Sequence, residues 1–97
     1  MLFDTHLHLI YPERLRYPWL DKIEFLNKPS KYDEYKIRAD RLGIKGCLHM
    51  EVDVAENLIC EETGLVSELM GNENGPLKGA ISACRPESKK FPEFLEW

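Results

Sequence analysis

Residues 2–10 read LFDTHLHLI. The stretch alternates as a strand does, with Phe3, Thr5, Leu7 and Leu9 on one face and Leu2, Asp4, His6 and His8 on the other. Side chains two apart on a strand project to the same side, so the imidazoles of His6 and His8 can approach one ion. In a parallel α/β fold the outward face of each strand packs on helices, and Phe3, Leu7 and Leu9 suit that task. The histidine face must then look into a barrel or crevice. Sites in such folds gather at the C-terminal ends of the strands, where His8 stands.

Working outward, Tyr11 to Pro29 is a connection with three prolines and several aromatics. It is longer than most loops between packed elements. Trp19 pins this loop to the body, covers a pocket, or does both. Ser30 is placed as the N-cap of a helix, with Asp33 in its first turn and Gly43 ending it as a C′ residue. Tyr32, Tyr35, Ala39 and Leu42 recur near helical spacing. Ile44 to Val52 (IKGCLHMEV) is the second strand, with Leu48, Met50 and Val52 on one face and Cys47, His49 and Glu51 on the other. Asp53 to Ala55 leads into a second helix, most secure from Glu61 to Met70, in which Leu58, Glu62, Leu65 and Leu69 form one row. Gly71 to Pro76 (GNENGP) is a turn. Leu77 to Cys84 is the third strand, Pro86 closes it, and Phe91 to Trp97 begins a third helix with Ser88 as its cap. The order β-α-β-α-β-α predicts βαβ units with a parallel sheet. Ending within that helix, with no cap, the sequence is expected to be part of a longer domain.

The 97 residues fit one domain or a piece of one, and 43% apolar with 31% charged residues is a globular balance. A net charge of −4 points away from nucleic acid and from anionic membrane surfaces as partners. There is no signal peptide pattern and no long apolar run. Cys47, Cys60 and Cys84 are odd in number and widely spaced. That predicts reduced thiols and a cytoplasmic location rather than a disulfide framework. Cys47 and Cys84 are expected to be buried.

Asp4-Thr5-His6-Leu7-His8-Leu9 resembles the first-strand signature of the amidohydrolase superfamily, metal-dependent hydrolases on a (β/α)₈ TIM barrel. More narrowly, the chain resembles the amidohydrolase-related branch (amidohydrolase 2) that includes sugar lactonases. The supporting motifs are RYPWL in the first loop, HME followed by VAENLICEET, and ACRPE at the end of the third strand. The resemblance spans the chain but only the first three of eight βα units. It implies that His6 and His8 are metal ligands, for zinc or manganese. It implies hydrolysis of a lactone or related carbonyl C–O or C–N bond in a small, sugar-derived or carboxylated metabolite. The later histidines and aspartate of the superfamily have no counterpart here, and some lactonases need no metal. In those the two histidines would bind substrate.

Four more residues are candidates for substrate binding. Glu51, near the rim of the second strand, would bind substrate or orient a metal-bound water, or else sit in a hydrogen bond or ion pair. His49 lies one layer deeper, as a pocket residue or a core histidine. Arg85 would hold a substrate carboxylate by its fork, or form an ion pair with a nearby acid such as Glu51. Trp19 would cover the pocket. Asp4 reads as structural, and the Glu61-Glu62 run as a solvated face. Three strands lack the convergent groups a hydrolase needs, so these residues alone are expected to show little or no turnover. The rival is a non-catalytic metal-binding or interaction module on a partial barrel that pairs with another chain, as in a homo-oligomer.

Overall fold

In the computed structural model, which describes residues 2–71 and 75–96, three parallel strands alternate with helices. The elements are β1 (Leu2–Leu7), α1 (Tyr32–Leu42), β2 (Ile44–Met50), α2 (Ile59–Met70), β3 (Leu77–Ile81) and α3 (Phe91–Glu96). Short 3₁₀ turns at Pro18–Leu20 and Glu56–Leu58 add to these. The sheet order is β1-β2-β3, as sequential βαβ units require. β1 and β3 are the sheet edges among the described residues.

Two apolar clusters hold the layers together. Leu7 and Leu9, Cys47 of β2 and Leu77 of β3 pack with Tyr32 of α1 and Val66 of α2. The Tyr32 hydroxyl accepts the Leu77 N–H at 2.9 Å, which ties α1 to the start of β3. The second cluster lies beyond the strand ends. There Leu15, Tyr17 and Leu20 of the first loop meet Val52, Val54, Ile59 and Leu65. The loop is therefore pinned by these three residues. Trp19 stays 42% exposed.

All three strands stop earlier than their apolar patterns run, and each stop has a local cause. The register of β1 against β2 slips between Asp4 and Leu7. Asp4 Oδ1 accepts the His6 N–H at 3.1 Å, a local bond that competes with the ladder. The slip breaks the simple alternation. Asp4 turns toward α1, where its Oδ2 accepts the Tyr35 hydroxyl at 2.9 Å. Leu7 and Leu9 face the helices as expected. Phe3 does not: its register partner is Gly46, on the side opposite Cys47. The ring is half-exposed there and lies over Gly46, where a Cβ would sit 2.3 Å from it. β2 ends at Met50 because the Val52 N–H is taken by Glu62 and Asp53 adopts a positive φ of 50°. After Ile81 the described chain runs irregularly to Arg85, and Cys84 is exposed rather than buried.

The helix ends depart from expectation at one place. Ser30 does not cap α1, because it exchanges both backbone hydrogen bonds with Ile10 at 2.9 Å. Lys31 stands at the N-cap instead and makes no capping bond. Gly43 ends α1 in the left-handed conformation, φ 76°, as its type predicts. Ser88 Oγ accepts the Lys90 N–H and Ser88 O the Phe91 N–H, at the start of α3. Residues 72–74 of the 71–76 turn lie outside the described residues. No described helix is long and apolar enough to cross a membrane.

Candidate functional site

With Leu7 and Leu9 committed to the helices, His6 and His8 face the other way, into the open side of the sheet. Both are exposed, and their Nε2 atoms lie 2.9 Å apart, with ring centroids at 4.7 Å and planes at 72°. The contacts fix the protons. His8 Nδ1 lies 3.0 Å from the Met50 carbonyl, which can only accept, so Nδ1 carries a hydrogen. In neutral His8 the Nε2 is then an acceptor, and the His6 Nε2–H donates to it. A backbone carbonyl fixing Nδ1, so that the Nε2 lone pair points outward, is the arrangement that orients a metal-ligating histidine. Two imidazole nitrogens this close also fit one ion at the usual bond length of about 2.0–2.1 Å, with the His6 proton then carried on Nδ1 instead of Nε2. The donor pair thus suits a divalent cation. Among the described residues no group of three or more His, Cys, Asp or Glu side chains joins them.

Beside the pair a cleft of about 310 Å³ is lined by His8, Ile10, Trp19, Glu51, Val52 and Asp53. Three of the expected residues thus meet at the C-terminal ends of β1 and β2. The Trp19 indole N–H donates to the Val52 carbonyl at 2.8 Å, which holds the exposed ring over this cleft. Glu51 is half-buried, and its Oε2 accepts the Asp53 N–H at 2.7 Å.

The other two expected residues are placed differently. Arg85 does not pair with Glu51. Its Nη2 donates to Asp53 Oδ1 at 2.9 Å, and it lines a separate pocket with Cys60, Ser88 and Phe91. His49 is the register partner of Leu7, so it belongs to the helix side of the sheet, and it is 2% exposed. Burial pushes its pKa down to about 4, with the proximity of His8 adding to the effect. It is a neutral core histidine, not a wall of the cleft.

Two residues stand out that the sequence reading passed over. Glu62 is 3% exposed, not on a solvated face. Its Oε2 accepts the Val52 N–H at 3.1 Å. Burial lifts its pKa to about 7 against that hydrogen bond, and Glu51 and Asp53 raise it further. Its place in the apolar row with Leu58, Leu65 and Leu69 was the available signal. Its neighbour Glu61 is exposed and bonds Arg14 at 2.7 Å. Asp53 is the second, a non-glycine residue at positive φ that joins Glu51 to Arg85.

No family model and no curated protein matches the sequence. Among solved structures the chain is similar to "Amidohydrolase 2 from Bifidobacterium longum subsp. infantis", with a TM-score of 0.61 and 20% identity. The match covers 84% of this chain and 31% of that one, so the chain spans about a third of its length. At that identity the likeness is one of fold, and it extends over most of the chain: these residues share the α/β fold of the matching part of an amidohydrolase.

Proposed function

We propose that these residues form the first three βα units of a hydrolase barrel, with His6 and His8 at its reactive centre. The observation that carries this reading is the convergence of the two exposed imidazoles beside a cleft at the strand ends. The fold likeness to an amidohydrolase supports it. On this reading the substrate is a small metabolite with a lactone or related carbonyl C–O or C–N bond. Trp19 closes one side of its cleft and Glu51 presents a carboxylate to it. Arg85 acts through Asp53, by holding the turn that carries Glu51.

The Nε2 atoms of His6 and His8 would hold a divalent ion such as zinc or manganese, His6 in its Nδ1–H tautomer, and groups outside the described residues would complete the set. When bound, such an ion supplies Lewis-acid polarisation of the carbonyl and activates a water. The protein's own residues do the rest. The Met50 carbonyl fixes the His8 ring, Asp4 fixes the His6 backbone, and Trp19 shields the cleft from water. A lactonase-type site without metal uses the same pair differently: the His6 Nε2–H would donate to the carbonyl oxygen.

The rival, a non-catalytic interaction module, has one observation in its favour. The open face of the sheet leaves Phe3 50% and Ile81 46% exposed, and such apolar surface is usually covered. A test that separates the two is an NMR titration of the full chain with acetohydroxamate, a mimic of carbonyl hydrolysis, with and without zinc. The hydrolase reading predicts shifts at His6, His8 and the Trp19 indole, lost in His8→Ala. No shift at these groups under either condition contradicts it.

A further inference from the structure

Glu62 is a buried carboxyl group that the proposed chemistry leaves unused. It sits in the first turn of α2, where the helix favours negative charge. Among the described residues it nevertheless has few partners for a buried acid. Its carboxyl accepts the Val52 N–H at 3.1 Å.

Val52 is the centre of the turn that builds the cleft. Its carbonyl accepts the Trp19 indole N–H at 2.8 Å. On one side Glu51 bonds the Asp53 N–H, and on the other Asp53 takes the Arg85 guanidinium at 2.9 Å. Asp53 itself is held at φ 50°. Aspartate tolerates this left-handed conformation better than most residues, and the hydrogen bonds around it select this form of the turn. Glu62 holds the same turn from the core side, while Trp19 and Arg85 hold it from the solvent side.

We propose that Glu62 is a positioning residue: through the Val52 N–H it fixes the Glu51–Asp53 turn, and with it the wall of the cleft and the seat of Trp19, in a manner set by its proton. The groups facing it are Glu51 and Asp53 from the turn and Tyr17 from the first loop. All three are acidic or neutral. Arg85 offsets Asp53 alone. Ionised Glu62 accepts the Val52 N–H more strongly but repels Glu51. Protonated Glu62 relaxes both interactions. With its pKa lifted to about 7, the two forms exchange near neutrality. The functional meaning of this device rests on the cleft being the hydrolase site. The geometry does not.

The test is a pH titration of the full chain by ¹H–¹⁵N correlation NMR. The Val52 amide proton is expected to move downfield as pH rises, with a midpoint near 7, and the Asp53 amide and Trp19 indole signals to follow the same midpoint. In Glu62→Gln, which keeps the shape and removes the charge, that transition is lost while the spectrum stays dispersed. In His8→Gln the transition remains, so the reading of the histidine pair and this one fail separately. A Val52 signal that is flat from about pH 5.5 to 8.5, or a transition that survives Glu62→Gln or vanishes in His8→Gln, overturns the proposal.

Discussion

Two buried ionisable groups, Glu62 and His49, pull the stability of the chain in opposite directions with pH. Glu62 binds its proton more tightly folded, with a pKa of about 7 against 4.5. The folded state therefore holds more protons between those values, and stability falls as pH rises from 4.5 through 7. His49 has a folded pKa of about 4 against 6.5. Its contribution is full above 6.5 and is lost as pH falls through 4. Each effect is worth up to about 3 kcal/mol. They nearly cancel between about pH 4.5 and 6.5. Urea unfolding of the wild-type chain is thus expected to give a flat profile in that window. Glu62→Gln exposes the His49 slope, with stability rising by roughly 2 kcal/mol across the window. A variant profile as flat as the wild type contradicts the burial of one or both groups.

At the scale of elements, the boundaries carry most of the information. Gly43 ends α1 at φ 76°, and nothing packed around it comes within 4 Å of where a Cβ would stand. The cost of a side chain there is therefore conformational, not steric. Gly43→Ala is expected to destabilise the chain by about 1 kcal/mol, and Gly43→Asn by less, because Asn tolerates the left-handed region. Equal effects in urea unfolding argue against a left-handed cap. The order of elements, this cap and the helix-facing Leu7 and Leu9 were legible because each depends on local pattern. The strand ends were not. Ile10, Val52 and Ala83 look like strand in an apolar run, but they are buried in a cluster beyond the sheet. Apolar patterning reports burial and cannot tell a ladder from a packed loop. The slip at Asp4 was equally hidden, since a bulge depends on one side-chain hydrogen bond.

Over the whole molecule, the histidine pair was legible in residues 6–8, and the contacts that surround it were not. Trp19 and Glu51 arrive at the cleft because the first loop and the turn after β2, far apart in sequence, fold over the same strand ends. Of the two readings of Arg85, a fork around substrate or an ion pair with a nearby acid, the structure shows the ion pair, with Asp53 rather than Glu51 as the acid. His49 was placed by strand alternation with Glu51, but β2 ends between them, at Met50, and alternation no longer relates the two. The central claim is that His6 and His8 form one divalent-cation or substrate-polarising pair at the open end of the sheet. It is tested most directly by isothermal titration calorimetry of zinc into the full chain beside His6→Ala and His8→Ala. The expected result is one ion per chain for the wild type, with affinity reduced at least about tenfold in either variant. Zinc binding of equal strength in all three proteins would contradict it.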